Sequence, residues 1–267
     1  MEPFLKIKPL FQRKRIGLFC DFDGTLSRIV PEPDEAVILP QNHLLLSELK
    51  KTIATVAVVS GRAGKDVAGL VNIEGLTYIG NHGLERYHNN VLEVLPEAVL
   101  YKQKIKAAAE ELDVQLVPGM QIENKIVTLS IHYRQTENPV EVQKLFLPII
   151  TQTAEKHQLK LFEGRLIFEL RPPTPINKGT ALHSLIEEYK LDGAVFIGDD
   201  ITDTAAFVAA RALRKSGECE SFAIGVIDDG TPQSVAELSD MAVSGVEGVT
   251  EFLSWFLENA IASSTWE

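Results

Sequence analysis

Cysteine is scarce in this chain, which has two, Cys20 and Cys219, among 267 residues. Two cysteines so far apart form neither a disulfide framework nor a paired-cysteine zinc site. Basic residues are also outnumbered, since 26 lysines and arginines face 37 aspartates and glutamates and the net charge is −11. This balance argues against nucleic-acid binding, which depends on basic patches. It leaves anionic small molecules open as substrates, because a metal ion and a few cations dominate the local field.

Long apolar runs are missing as well. No stretch approaches the ~20 residues that cross a bilayer, and residues 1–15 mix charges with apolar side chains instead of forming a secretion signal. We therefore expect no membrane partner and a cytoplasmic location. The sequence does not determine the oligomeric state, and we favour a monomer. The remaining composition, 45% apolar and 24% charged, is that of an ordinary globular chain with room for one large domain or a domain with an insertion.

Two aspartates, two residues apart, follow the short apolar run at 16–20. The run is long enough for a buried strand and too short for a helix. Asp21 and Asp23 therefore lie where a strand becomes a loop, and ligands bind at the carboxyl ends of strands in open α/β sheets. A divalent cation is the usual way to hold two neighbouring carboxylates. The alternative is an acidic turn in which Asp23 and Gly24 only close the loop.

Apolar strand patterns alternate with helical patterns on both sides of a different middle section, and this predicts a parallel α/β sheet. Residues 1–15 are predicted to be an irregular arm or an edge segment, and 27–36 an irregular loop. The predicted strands are 16–21, 55–59, 77–80, 194–197, 221–227 and 241–243, and the predicted helices begin at Pro40 or cover 63–70, 177–190, 204–213, 232–238 and 246–261.

The middle section loses the pattern of fully apolar strands. Helical patterns cover 97–112 and 139–157, and alternating strands cover 126–133 and 165–171. Alternation is typical of an antiparallel sheet with one face in water. We therefore predict an α+β unit over 97–172, inserted into a core formed by 1–96 and 173–267.

Four short motifs lie at strand ends or at a helix start of the predicted core: DFDGTL at 21–26, SGR at 60–62, NKG at 177–179 and GDDITD at 198–203. Asp21 is the candidate nucleophile, because a carboxylate that attacks phosphorus divides a hard hydrolysis into two easier steps. Asp23 is the candidate general acid and base. Oxygen ligands in such a loop suit Mg²⁺.

The other three motifs supply supporting groups. Ser60 is predicted to hydrogen-bond a phosphoryl oxygen, and Lys178 to pair with the phosphoryl group and orient Asp21. Asp199 or Asp200 is available as a further metal ligand, and Asp203 lies one helical turn beyond Asp199. The alternatives are an N-cap serine, a solvated lysine and acids that favour a helix N-terminus.

In this order and context the four motifs resemble those of the haloacid dehalogenase-like phosphotransferases over 16–96 and 173–245. The resemblance implies a Rossmann-like parallel-sheet core with an inserted α+β cap. It also implies Mg²⁺ bound by Asp21, the backbone carbonyl of Asp23 and Asp199. In the second motif we expect Gly61 and Arg62 to bind the substrate.

The middle section and one core loop are more particular. IENK at 122–125, LSIHYR at 129–134, FELRP at 168–172 and GNHGLE at 80–85 resemble the trehalose-6-phosphate phosphatase family. That resemblance implies hydrolysis of trehalose 6-phosphate, with Glu123, Lys125 and Glu169 contacting glucose. Carboxylates and a lysine suit a disaccharide because they form charge-assisted hydrogen bonds with its hydroxyls. The alternatives are an exposed turn for Glu123 and Lys125, and the wet face of a strand for Glu169.

Two other functions remain open from the sequence. One is a phosphatase for another sugar phosphate, such as sucrose phosphate or glucosylglycerol phosphate, which only the middle-section motifs argue against. The other is a regulatory module with an inactive core, which predicts the loss of a core carboxylate. None of the acids of the four motifs is missing. A phosphomutase is disfavoured because nothing marks a site for rebinding a phosphosugar.

Overall fold

The computed structural model describes residues 4–30 and 32–264. The chain divides into two compact units, one formed by the chain up to Glu93 and from Ile176 onward, the other by Val94–Pro175. We call the first unit the core and the second the cap. Each division lies three residues from the boundary predicted from the sequence, which was 96/97 and 172/173.

The core is built on an eight-stranded sheet with the order β12-β11-β10-β1-β2-β3-β4-β5, numbered along the chain. The strands from β12 to β3 are parallel, and β4 pairs with β3 in the antiparallel direction. The strands are Ile16–Cys20 (β1), Thr55–Val59 (β2), Thr77–Gly80 (β3), Glu85–His88 (β4), Val91–Val94 (β5), Gly193–Gly198 (β10), Glu220–Ile227 (β11) and Met241–Ser244 (β12).

Helices cover both faces of the core sheet. As a result β1, β2 and β10 are buried along their whole length. One apolar cluster joins β1 to α1, α2 and α9, and a second joins it to α6, α7 and α8. None of the described helices combines the length and apolarity needed to cross a bilayer. The core helices are Pro40–Thr52 (α1), Gly64–Val71 (α2), Lys178–Tyr189 (α6), Thr204–Ser216 (α7), Gln233–Leu238 (α8) and Gly245–Ser264 (α9).

The prediction of an irregular arm or an edge segment at 1–15 is wrong for the described part of that stretch. A 3-10 helix runs over Leu5–Gln12 and buries Ile7 and Leu10. Phe11 packs on α9, with its ring centroid 5.0 Å from that of Phe256. Apolar residues at a three-residue spacing line one side of this short helix, a pattern that its interspersed lysines concealed. Residues 1–3 lie outside the described residues.

Two further stretches differ from the prediction. The loop over 27–36 contains a short 3-10 helix, Pro33–Glu35, and its residue 31 lies outside the described residues. β4 and β5 were not predicted, yet they extend the sheet beyond β3. Both are four residues long and mostly exposed or half-buried, so they lack the continuous apolar run by which the other core strands are recognised.

The cap contains a four-stranded antiparallel sheet with the order β6-β7-β9-β8. Two of its helices, α4 and α5, pack with the side chains of Leu129, Ile131, Phe168 and Leu170 in one apolar cluster. The prediction missed β6 and β8. The elements are Pro96–Val99 (α3), Lys102–Asp113 (α4), Gln121–Asn124 (β6), Leu129–His132 (β7), Pro139–Lys156 (α5), Lys160–Gly164 (β8) and Ile167–Arg171 (β9).

The second face of the cap sheet carries polar residues, as the alternation predicts. The expectation that this face is wet is wrong for its centre, because Thr128 and Ser130 are fully buried and Glu169 is 6% exposed. The face is therefore polar and enclosed, and its groups need partners.

Candidate active site

Asp21 and Lys178 form the centre of the core site. Asp21 directly follows β1, and Lys178 is the first residue of α6. The Asn177 side chain caps that helix by accepting hydrogen bonds from the backbone N–H groups of Gly179 and Thr180, which fixes the first turn. Lys178 is 2% exposed, with Nζ 2.8 Å from Asp21 Oδ1. The lysine is therefore not the solvated residue of the alternative interpretation.

Asp203 fixes the other side of Lys178. Its Oδ1 accepts a hydrogen bond of 2.7 Å from Lys178 Nζ. Its Oδ2 accepts hydrogen bonds from the backbone N–H groups of Asp199 and Asp200, at 3.2 and 3.0 Å. Asp203 is fully buried, and these hydrogen bonds hold the loop after β10 in place. Its role is therefore larger than that of an acid that favours a helix N-terminus by its charge.

Asp199 faces the loop of the first motif. Thr25 Oγ1 donates a hydrogen bond of 3.4 Å to Asp199 Oδ1. A Cβ atom on Gly24 would lie 2.1 Å from Asp199 Oδ2, and Gly24 also has a φ of +79°. The glycine of the first motif is required here because only a residue without a side chain leaves room for this carboxylate.

The three buried acids carry more negative charge than Lys178 compensates. Burial raises the pKa of Asp21 to about 8, and the charge of Asp203 acts in the same direction while Lys178 opposes it. Burial, followed by the charge of Asp21, raises the pKa of Asp199 to about 9. The pKa of Lys178 is itself raised, because Asp203 and Asp21 outweigh the effect of its burial. One more cation would therefore stabilise the ionised carboxylates.

A divalent metal ion fits this donor set. Asp21, Asp199 and Asp203 each offer a carboxylate oxygen, and these atoms lie within 4.8 Å of one another. Asp21 Oδ1 is buried, and apart from Lys178 Nζ at 2.8 Å it has no partner among the described residues. Buried anionic oxygens are the ligands that Mg²⁺ takes in proteins. Asp203 is already bonded to Lys178 and two backbone amides, which leaves Asp21 and Asp199 as the more available ligands.

The side chain of Asp23 points to a different partner from that of Asp21. Arg62 donates from Nε to Asp23 Oδ2 and from a terminal nitrogen to Oδ1, both at 2.7 Å. The guanidinium also lies over the ring of Phe22, 5.4 Å from its centroid. In this structure Arg62 holds the candidate acid–base group, and its expected contact with the substrate stays a prediction. Two parallel hydrogen bonds of this kind fix the carboxylate in orientation as well as in place.

Ser60 and Gly61 lie at the end of β2, against the loop that follows β3. The backbone N–H of His82 donates to Ser60 O, and that of Asn81 donates to Arg62 O. Ser60 is buried and its Oγ accepts from the backbone N–H of Arg62, so the serine shapes this turn and does not cap α2. Gly61 is required because a Cβ there would lie 2.6 Å from the ring of His82.

The cap holds a separate cluster of charged side chains on the polar face of its sheet. Lys125 Nζ lies 3.9 Å from Glu123 Oε2 and 3.6 Å from Glu169 Oε1. His132 Nε2 lies 3.0 Å from Glu123 Oε2, and Arg171 donates two hydrogen bonds to Glu169 Oε2, one of 2.9 Å from Nε. The three residues carried over from the resemblance thus lie together, and Glu169 and Lys125 are buried.

Comparison with known proteins decides the family. Residues 19–237 match the family model described as Trehalose-phosphatase. The chain belongs to the trehalose-phosphatase family. Among its curated relatives, the probable trehalose-phosphate phosphatase 4 of Oryza sativa subsp. japonica is 32% identical over 233 residues, covering 82% of this chain and 61% of the relative. The trehalose-phosphate phosphatase of Mycobacterium avium (strain 104) is 35% identical over 209 residues, covering 73% of this chain and 51% of the relative. The chain therefore spans little more than half the length of these relatives.

Solved structures agree with the family on the fold. The C-terminal domain of the C. albicans trehalose-6-phosphate phosphatase superposes with a TM-score of 0.78 at 18% identity, covering 97% of each chain. A haloacid dehalogenase-like hydrolase from Bacteroides thetaiotaomicron gives a TM-score of 0.63 at 14% identity, covering 91% of this chain and all of that one. The predicted haloacid dehalogenase-like α/β fold with an inserted cap is confirmed.

Within this trehalose-phosphatase fold, sequence reasoning missed two groups. Arg171 and His132 were not proposed as site residues, although each contacts a carboxylate of the cap cluster. Arg171 also lies over the ring of Phe162, 4.4 Å from its centroid. The available signal was their position two residues from Glu169 and Ser130 on alternating strands, which places them on the same face.

Proposed function

We propose that this chain is a Mg²⁺-dependent phosphomonoesterase that hydrolyses trehalose 6-phosphate to trehalose and phosphate. The observation that carries the proposal is the buried Asp21, paired with Lys178 at 2.8 Å and held next to Asp199 at the carboxyl end of the core sheet. Membership of the trehalose-phosphatase family supports the choice of substrate. We also propose that the protein acts in the cytoplasm and as a monomer.

In the proposed reaction Asp21 attacks the phosphorus atom and forms an aspartyl-phosphate as the bond to the sugar oxygen breaks. Asp23 donates a proton to that oxygen, and then takes one from the water that releases phosphate. Asp23 must exchange a hydrogen bond of Arg62 for the sugar oxygen, so Arg62 acts as its positioning partner. Lys178 keeps Asp21 oriented and faces the incoming phosphoryl group.

Mg²⁺ would be held by Asp21, Asp199 and the backbone carbonyl of Asp23, and would neutralise negative charge on the phosphoryl group. Ser60, Gly61 and their neighbouring backbone are proposed to contact the phosphoryl oxygens. Asp200 and Asp203 are proposed to support the loop that carries Asp199. Asp203 Oδ2 accepts hydrogen bonds from the backbone N–H groups of Asp199 and Asp200.

The cap cluster is proposed to select the sugar. Glu123, Lys125 and Glu169 provide acceptors and donors for the hydroxyls of a glucosyl ring, and hydrogen bonds to charged groups are about twice as strong as neutral ones. A site built to satisfy such groups rejects substrates that leave them unpaired. Recognition in the cap and chemistry in the core are thus separate tasks on separate sets of residues.

The test is phosphate release from a panel of sugar phosphates by the wild type and by Asp21→Asn, with Mg²⁺ or with a chelator. We expect preference for trehalose 6-phosphate, no activity with the chelator, and a loss on the order of 10⁴-fold in kcat for the variant. Preference for sucrose phosphate or glucosylglycerol phosphate would retain the chemistry and refute the substrate. Activity of a well-folded Asp21→Asn protein near the wild-type level would refute the mechanism.

A further inference from the structure

Ser130 is a fully buried residue of β7 whose hydroxyl the proposed function does not use. Its Oγ has no hydrogen-bond partner among the described residues. A buried hydroxyl without a partner is unfavourable, because it has lost its hydrogen bonds to water and gained none in return. Such groups are rare in proteins, and each calls for an explanation such as a bound water, an ion or a functional role.

The register of the cap sheet places Ser130 between two of the proposed sugar-binding residues. Ser130 is directly opposite Glu123 on β6 and directly opposite Glu169 on β9. Directly opposite residues on antiparallel strands project from the same face, with Cβ atoms about 5 Å apart. The hydroxyl therefore lies in a row, Glu123–Ser130–Glu169, with a carboxylate on either side.

Lys125 bridges this row with contacts that are too long for direct hydrogen bonds. Its Nζ is 3.9 Å from Glu123 Oε2 and 3.6 Å from Glu169 Oε1. The outer partners are closer, with His132 at 3.0 Å from Glu123 and Arg171 Nε at 2.9 Å from Glu169. The contacts of the two carboxylates to His132 and Arg171 are thus short and those to Lys125 are long, and a sugar hydroxyl can take the place of a long contact.

Ser130 is the member of this row that can both donate and accept a hydrogen bond. A carboxylate only accepts hydrogen bonds and an ammonium group only donates them, whereas a hydroxyl does both. A sugar hydroxyl that donates to Glu123 or Glu169 still has lone pairs, and one that accepts from Lys125 still has a proton. The Ser130 hydroxyl can rotate to satisfy either case.

We propose that Ser130 is a further substrate-binding residue, whose hydroxyl bonds a sugar hydroxyl held between Glu123 and Glu169. This inference rests on the proposed function for the identity of the sugar. It adds a residue at the centre of the row that contacts the sugar directly. Because a phosphate ester without a sugar does not use this contact, we expect its turnover not to depend on Ser130.

The core supplies a matched control in Ser221. This serine is also fully buried in a strand, but its Oγ donates to Ala210 O at 2.7 Å and contacts Cys219 O at 3.1 Å. Removing the Ser221 hydroxyl leaves a buried carbonyl with one partner fewer, whereas removing the Ser130 hydroxyl removes an unpaired group. Ser130→Ala should therefore weaken binding without lowering stability, and Ser221→Ala should lower stability without weakening binding.

The experiment compares Ser130→Ala and Ser221→Ala in the full chain, with steady-state kinetics on trehalose 6-phosphate and p-nitrophenyl phosphate, calorimetric binding of trehalose, and Tm. For Ser130→Ala we expect KM for trehalose 6-phosphate and Kd for trehalose to rise about fivefold, the effect of one neutral hydrogen bond. Turnover of p-nitrophenyl phosphate and Tm should not fall. For Ser221→Ala we expect a lower Tm with unchanged KM.

Unchanged KM and Kd in Ser130→Ala would overturn the inference, and so would a fall in Tm without a change in binding, which indicates a structural hydroxyl. A wild type that prefers another sugar phosphate refutes the proposed substrate alone. In that case the same comparison with the preferred sugar phosphate decides the role of Ser130. A wild type that neither binds trehalose nor hydrolyses any sugar phosphate refutes both.

Discussion

The core and the cap each hold a buried lysine between two carboxylates, and they do so differently. In the core, Lys178 lies 2.7 Å from Asp203 and 2.8 Å from Asp21, with both acids buried. In the cap, Lys125 lies 3.6 and 3.9 Å from Glu169 and Glu123, and the Glu123 side chain is 40% exposed. The same charge pattern thus has short lysine-to-carboxylate distances in the core and long ones in the cap.

The difference corresponds to the two proposed tasks. Groups that stabilise a transition state work best when they are already in place, because rearranging them during the reaction costs free energy. Groups that bind sugar hydroxyls have to exchange their own contacts for those of the ligand. Short contacts in the core and long contacts in the cap are what these two requirements predict.

The largest expected effect comes from removing a cation that pairs with a buried carboxylate, and the core is expected to lose more than the cap. Lys178→Met leaves Asp21 and Asp203 buried without their shared partner, and breaking a buried pair in this way costs about 3–5 kcal/mol of unfolding free energy. It should also abolish turnover of both trehalose 6-phosphate and p-nitrophenyl phosphate. Denaturant unfolding and steady-state kinetics check both results.

Arg171→Met is the matched variant in the cap. Glu169 keeps Lys125 nearby, so we expect a smaller loss of unfolding free energy, about 1.5–3 kcal/mol for a hydrogen bond to a charged group. KM for trehalose 6-phosphate should rise while p-nitrophenyl phosphate turnover is retained. If both variants lost both activities equally, the separation of chemistry from recognition would be refuted.

The second prediction concerns pH and metal, and it applies to the core alone. The pKa values of Asp21 and Asp199 are raised from 3.8 to about 8 and about 9, chiefly by burial. The folded state therefore binds more protons than the unfolded state between about pH 4 and 8, so with a chelator its stability falls as pH rises through that range. Added Mg²⁺ should restore about 2.7 kcal/mol at a concentration 100 times its Kd.

Urea unfolding at pH 5 and pH 8, with a chelator and with Mg²⁺, measures these changes. The gain from Mg²⁺ should be larger at pH 8, where the ligands are ionised more fully. Asp21→Asn should flatten the pH dependence, because one of the buried carboxyls with a raised pKa is gone. If the wild type with a chelator were equally stable at both pH values, the raised pKa values of Asp21 and Asp199 would be contradicted.

Sequence reasoning predicted the parts of the candidate site that depend on local order. Asp21, Ser60, Lys178 and Asp199 were identified because each follows a recognisable strand or starts a helix, and the carboxyl ends of parallel strands share one edge of a sheet. The buried parallel strands were found for the same reason, since each is a continuous apolar run.

The contacts that the sequence did not predict join distant stretches, and one of them is the pairing of Arg62, itself a predicted site residue, with Asp23. Arg62 lies 39 positions from Asp23, and only the folded turns bring its guanidinium to both carboxylate oxygens. The place of Ser130 follows from strand register, which alternation alone does not determine. Segment 5–12 was read as an arm because its burial depends on α9, which lies at the far end of the chain.

The smallest expected effect tests whether charge on the outside of the cap matters to either task. Glu111 on α4 meets Lys156 at 2.7 Å and His157 at 2.8 Å, and these two hydrogen bonds lower its pKa from 4.5 to about 2. A lowered pKa means that the carboxylate stabilises the fold above about pH 4.5, and that this stabilisation is lost as pH falls towards 2. Glu111→Gln should therefore reduce the unfolding free energy by less than about 1 kcal/mol at pH 7, with the difference vanishing near pH 2.

Glu110→Gln is the control, since Glu110 pairs with Lys106 at 3.7 Å and both side chains are largely exposed. Urea unfolding at pH 7 and pH 3 should show a pH-dependent difference for Glu111→Gln and almost none for Glu110→Gln. Neither variant should alter KM, because both residues lie on α4, which packs on the apolar face of the cap sheet opposite the charged row. A change in KM for Glu111→Gln would mean that the outer helices help to position that row, and the proposed division between a tight reacting centre and a loose binding face would then extend beyond the residues in contact with the ligand.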